Sequence, residues 1–178
     1  GSRSVASGYF CIADAESSTA HGAQAITRGV IGSDAFSSNT SAVAGSRQRR
    51  ELILSAITTS ATGGVATSDG NAASATNQIN IPANSVVRLQ ALVSFVDTTA
   101  FTGGSFTLPL SCVIGNNAGT VAVRGTNPTL VFQGDAALNT CTLTATADTT
   151  NNCVSFNCAG QAGKTINWTV RVISVEVI

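Results

Sequence analysis

From Glu51 to the C-terminus, apolar and polar residues alternate with a period of two, interrupted at short intervals by Gly, Asn and Asp. That pattern predicts half-buried β-strands joined by tight turns. Leu52, Leu54 and Ala56 alternate with Ile53, Ser55 and Ile57 in a first strand that ends at Gly63-Gly64. A second stretch, Gln78 to Pro82, places its proline where a strand ends and a missing N–H is tolerated. Val87, Leu89, Ala91, Val93 and Phe95 share one face, opposite Arg88, Gln90 and Ser94. Gly103-Gly104 leads into a run with Phe106, Leu108, Leu110 and Cys112 on one side, and Asn116 to Gly119 is the next turn. Shorter strands are expected at 120–124 and 129–133. Thr140 to Ala147 alternates without a fault, threonines on one side and Cys141, Leu143, Ala145 and Ala147 on the other. A turn at 148–152 returns the chain through Cys153–Cys158, and in the last strand Ile166, Trp168, Val170 and Val172 oppose Asn167, Thr169 and Arg171. Eight or nine short strands with no helical period predict an all-β fold, an antiparallel β-sandwich of jelly-roll type over 49–178.

Residues 1–48 read differently, as a stem of small residues. Ala13–Gly22, Ala23–Gly32 and Ser33–Ala42 form three ten-residue copies, each with Ala at its third position (Ala15, Ala25, Ala35). A unit this short has no core of its own, so it must stack on copies of itself or on other chains. Ser46 to Arg50 then concentrates three of the eight arginines; it reads as a solvated junction between the stem and the sandwich. The terminal Val172–Ile178 is apolar on both faces, which predicts that its second face is covered by another sheet or another subunit.

Composition narrows the function classes. Nine basic residues balance nine acidic ones in 178, and only 10% of the chain is charged. Nucleic-acid binding needs a basic surplus, so it is not expected. No apolar run approaches the roughly 20 residues that span a bilayer, so neither membrane insertion nor a targeting segment is expected. A chain that is 43% hydrophobic is too apolar for disorder. It contains no Met, and Gly1-Ser2 matches the scar of a removed tag, so the reading is a fragment or processed product.

Four segments carry a resemblance. Arg49 to Leu54, Ala66 to Ile79, Thr146 to Asn151 and Gly160 to Trp168 resemble a C-terminal module of bacteriophage and prophage tail fibres and tailspikes. The small-residue segments Ser18–Gly22 and Ser41–Gly45 are similar to repeats in the heads of trimeric autotransporter adhesins. The cysteines at 112, 141, 153 and 158 are no part of that pattern. The resemblance implies a homotrimer at the distal end of the virion tail, assembled in the host bacterial cytoplasm beside other tail proteins. Its implied work is trimerisation and binding of a host cell-surface polysaccharide or glycan, with weak sites adding through avidity. Two alternatives share the architecture: the terminal domain of a polysaccharide depolymerase whose active site lies upstream, and a capsid head fibre or decoration protein.

Catalysis is hard to assemble from these residues. His21 is the one histidine and sits in the stem, where a structural role suits it better than a Ser-His-Asp or Cys-His system. Asp69, Asp97, Asp135 and Asp148 fall in turns, where carboxylates cap the backbone rather than pair for glycoside cleavage. Five cysteines without C-x-x-C spacing point to no metal and no cofactor. Cys112, Cys141 and Cys158 share apolar faces and read as buried thiols, with a bridge between two of them left open. A sugar site needs exposed rings and amides. Trp168 has core parity, which leaves Tyr9, Phe10, Asn116, Asn117, Asn151 and Asn152 as the receptor-binding candidates.

Overall fold

The computed structural model describes residues 1–38, 40, 42–106, 109–126 and 130–178. Three short strands, β1 (Val5–Tyr9), β2 (Thr19–Ala23) and β3 (Asp34–Ser37), lead into β4 (Arg47–Thr58), β5 (Gly64–Ala66), β6 (Ile79–Asn80) and β7 (Ser85–Asp97). They are followed by β8 (Gly103–Phe106), β9 (Leu110–Asn117), β10 (Thr120–Thr126) and β11 (Phe132–Gly134). After a single 3-10 turn, Ala136–Leu138, come β12 (Thr142–Asp148), β13 (Cys153–Ala159) and β14 (Ile166–Val177).

Two sheets result. The large one runs β1-β2-β3-β4-β14-β7-β8-β11, with β9 also on β7 and β10 on β9; the small one runs β12-β13-β5, with β6 on β13. Alternation decides which face of each strand is buried. In β7 every second residue from Ser85 to Asp97 is buried, and β14 repeats this from Ile166 to Glu176. Leu54, Leu89, Trp168 and Val170 of the large sheet pack with Leu143, Val154, Phe156 and Cys158 of the small one in a single core. Trp168 lies there as its parity predicts. Its ring is 4.4 Å from that of Phe95, and its indole Nε1 donates to Thr58 Oγ1 at 2.8 Å. The sandwich, the long alternating strands and the absence of helical periodicity thus agree with the sequence reading.

Two local expectations change. The run from Phe106 to Cys112 is two strands, not one: β8 and β9 both pair antiparallel with β7, at registers offset by two residues (Ser94↔Ser105, Ala91↔Leu110). Pro109, with no N–H to give to a ladder, falls in the break. Leu108 of that run, and Thr129 of the strand expected at 129–133, lie outside the described residues.

The stem repeats at 14 and 15 residues rather than ten. Val5 is registered with Thr19 and Thr19 with Asp34, all in parallel. What recurs is the length of backbone needed for one strand and its return, whereas the alanine spacing reflects only which positions turn inward. Ala20, Ala25 and Ala35 are wholly buried in a small core of their own. Small residues are required because backbone stacks on backbone. Gly22 has φ of 97°, and a Cβ there would lie 2.0 Å from the Ser37 carbonyl oxygen; Gly8 stands in the same relation to Gly22.

The stem joins the sandwich edge to edge, through antiparallel pairing of β3 with β4 (Ala35↔Arg50), and through a buried polar cluster. Glu176, on the inner face of β14, accepts from Arg28 Nε at 3.2 Å, from Gln48 Nε2 at 3.0 Å and from Arg50 Nε. Arg50 also donates to the side-chain oxygen (2.8 Å) and main-chain oxygen (2.6 Å) of Asn80, whose amide donates to the Arg28 carbonyl at 2.7 Å. Gln48 clasps the stem with both ends of its amide, at Ile26 N and Ile26 O, each 2.9 Å. The basic segment is therefore only half solvated: Arg47 and Arg49 face out, but Arg50 has no exposed surface. Parity on β4 explains it, since the face that carries Leu52 and Leu54 inward carries Arg50 and Gln48 with them.

Candidate functional site

The receptor candidates separate into two places. Tyr9 and Phe10 end β1, the outermost strand of the large sheet, 59% and 68% exposed and edge-to-face at 4.5 Å. The turns that carry the four amides meet at Ile81, through the Asn116 side chain and the Asn152 main chain. Asn116 Nδ2 donates to the Ile81 carbonyl at 2.6 Å, and the Ile81 N–H donates to the Asn152 carbonyl at 2.8 Å. Asn116 is a correction to the candidate set: it is 4% exposed, and its Oδ1 accepts from Gly119 N at 2.9 Å, so its amide holds the turn together. Asn117 and Asn152 are exposed, the latter at a φ of 54° that Asn tolerates better than most residues. Asn151 is half-buried and donates to Asp148 Oδ2 at 2.8 Å. Asn151 and Asn152 border a shallow hollow of about 240 Å³ with Arg28, Asn80 and Pro82.

A different surface was not singled out by the sequence. Where the two sheets part, a cleft of about 460 Å³ opens between Phe106, Leu130 and Phe132 on one wall and Thr142 and Thr144 of β12 on the other. A second, shallower hollow of about 570 Å³ adjoins it, sharing Asn139 and Thr142 and adding Thr140 and Gln161. The parity of the threonines was visible in the sequence. Their position on the free edge of the small sheet, beside two half-buried phenyl rings, was not.

The titratable groups are committed to structure. The Asp69, Asp97 and Asp148 carboxylates accept from backbone N–H groups two or three residues on, at 3.0–3.1 Å, and Asp135 accepts from Gly103 N at 2.7 Å. Asp69, Asp97 and Asp148 are the turn caps that the sequence predicted, whereas Asp135 makes no cap and instead ties its segment to Gly103, 32 residues away. Asp14 loses some solvation yet stays below its usual range because Thr27 Oγ1 and Gly29 N–H donate to it. The Arg171 guanidinium, bonded at 2.6 and 3.0 Å, lowers Glu51. His21 stacks edge-on against Phe36 at 5.1 Å and faces Asp34 at 3.6 Å; it bonds no hydroxyl or thiol among the described residues.

All five cysteines are free. Burial pushes the Cys112 thiol up to about 11 and those of Cys153 and Cys158 to about 12, with Asp148 adding to the effect at Cys153. They behave as small hydrophobes. Among the described residues, no group of three or more His, Cys, Asp or Glu side chains gathers as a metal cluster would.

The outer face of β4, β14 and β7 is uncovered. Ile53 and Leu92 flank Arg171, Ile57 and Val96 flank Asn167, and Val175 and Val177 continue the surface. Ile57 is 70% exposed and Val177 60%. The second face of the terminal strand is therefore apolar over Ile173, Val175 and Val177, as expected, and among the described residues no other sheet covers it.

No protein-family model matches the chain, and no curated protein does. Two solved structures are similar in part. A tailspike protein from Acinetobacter baumannii bacteriophage Fri1, a capsular polysaccharide depolymerase, is 12% identical with a TM-score of 0.37, over 72% of this chain and 18% of that one. The tailspike protein of Acinetobacter baumannii phage AM24 is 10% identical with a TM-score of 0.34, over 69% of this chain and 26% of that one. The chain thus spans about a quarter or less of the length of either tailspike.

Proposed function

We propose that this chain is a non-catalytic terminal module of a phage tail fibre or tailspike, a homotrimer that joins on the outer face of β4, β14 and β7 and contacts a host surface glycan. The carrying observation is that face. Ile53, Ile57, Leu92, Val96, Val175 and Val177 lie exposed on three central, hydrogen-bonded strands. A solvated central sheet face is normally polar, and six exposed aliphatic side chains set around Arg171 and Asn167 mark a contact. At about 1.5–3 kcal/mol for each fully buried aliphatic side chain, and with roughly half of each still exposed, covering the six is worth on the order of 6 kcal/mol per chain before association costs. The four sequence segments resembling tail-fibre modules support the same reading, and three copies of a weak glycan site gain by avidity.

Light scattering on the purified chain tests the assembly. A mass of three times 17.9 kDa, unchanged by reductant, is expected. A monomer at micromolar concentration overturns the trimer, and release of new reducing ends from host capsule overturns the non-catalytic reading.

A further inference from the structure

We propose that the free edge of β12, with the two hollows beside it, is a binding groove for an extended, uncharged polysaccharide. The proposal rests on the glycan-binding reading above and gives it a location outside the residues named from the sequence. Thr142, Thr144 and Thr146 of β12 project on one side of the strand, and Thr140 lies in the turn before it. Strand geometry spaces alternate residues about 7 Å apart, so the three strand hydroxyls run for about 14 Å. Two of the four threonines are already oriented: Thr140 Oγ1 accepts from Gln161 Nε2 at 2.6 Å, and Thr146 Oγ1 from Asn157 Nδ2 at 2.9 Å. Each keeps its own O–H to donate. Thr142 and Thr144 are exposed and make no side-chain hydrogen bond among the described residues. The adjoining 460 Å³ cleft is lined by Cys141, Leu143 and Ala145, of opposite parity to the threonines, and by the half-buried rings of Phe106 and Phe132, with Thr142 and Thr144 also in its lining.

An apolar, aromatic-walled trough running beside a row of hydroxyls and amides offers a sugar chain faces for its C–H groups and partners for its hydroxyls. The two hollows share Asn139 and Thr142, so the surface is continuous along the strand and suits a chain of rings rather than one. The charge class follows from the lining. Among the described residues, none that lines either hollow is charged. The neighbouring Lys164 spends its ammonium on the Ala137 carbonyl at 3.0 Å and on Asp97 at 3.7 Å. An acidic polymer would find no counter-ion here.

An immobilised array of neutral and acidic bacterial surface polysaccharides tests the groove, probed with the wild-type chain, with T142V/T144V, and with Y9A/F10A. The expected result is binding to neutral polysaccharides, at least about tenfold weaker in T142V/T144V after two hydrogen bonds are lost. Undiminished binding by T142V/T144V overturns the groove while leaving glycan recognition standing, and loss in Y9A/F10A alone moves it to β1. Binding confined to acidic polysaccharides overturns the uncharged class, and no binding to any member overturns glycan recognition itself. If T142V/T144V fails to fold, hydrogen exchange on the wild-type chain decides. Amides of 140–146 slow on adding the bound polysaccharide if the groove holds it, and unchanged exchange there overturns the proposal.

Discussion

Glu176→Gln is the sharpest test of how the stem is fastened to the sandwich. The carboxylate is 1% exposed and accepts from Arg50, Arg28 and Gln48, with Ser174 Oγ at 3.4 Å. At about 3 Å and an effective dielectric near 20, each ionic contact carries about 5 kcal/mol of attraction, most of it offset by desolvation of the charges. The substitution keeps the shape, removes the charge, and turns one acceptor oxygen into a donor facing other donors. Arg50, itself without exposed surface, is left as an uncompensated buried cation. Breaking a buried pair in this way costs about 3–5 kcal/mol. Urea unfolding followed by the emission of Trp168, the one tryptophan, measures it at a fixed protomer concentration. With a slope of about 2 kcal/mol per molar urea, the midpoint falls by about 1.5–2.5 M. A fall below about 0.5 M for Glu176→Gln refutes the claim that this cluster holds the two parts together.

Ile53→Asp with Leu92→Asp places two carboxylates on the outer sheet face; light scattering then shows monomer, with circular dichroism unchanged, and a persisting trimer removes that face as the interface. Gly22→Ala forces a Cβ to 2.0 Å from the Ser37 carbonyl at a φ of 97°, and calorimetry records a loss above the roughly 1 kcal/mol of an unstrained glycine change. In the folded chain a thiol reagent titrates Cys11 alone, with Cys112, Cys141, Cys153 and Cys158 appearing only in denaturant. Because burial raises the Cys158 thiol from 9.0 to about 12, its contribution is complete below pH 9 and is lost as pH rises towards 12. The urea midpoint therefore falls on alkalinisation, and falls less steeply in Cys158→Ala, where an equal slope contradicts the assignment.

Period-two alternation by itself determined the strands from Leu52 to Val172, because one buried face per strand imposes that period whatever the neighbours are. It placed Trp168 in the core and showed the second apolar face of the last strand; turn chemistry assigned Asp69, Asp97 and Asp148 to capping, but not Asp135, which bonds Gly103 instead. Alternation also displayed the threonine parity of β12. Tertiary structure decided the rest, for reasons of distance along the chain. The groove needs β8, β11 and β12 to converge, and the sequence separates Phe106 from Thr144 by many turns. Arg50 read as surface because its partner, Glu176, is 126 residues away. Asn116 read as an exposed turn amide, yet the segment at Ile81 folds over it. The stem's unit of 14 or 15 residues was hidden behind a ten-residue alanine spacing, since the closure of a backbone coil leaves no mark in composition. Local periodicity is encoded residue by residue, whereas pairing at a distance is settled only when the strands meet.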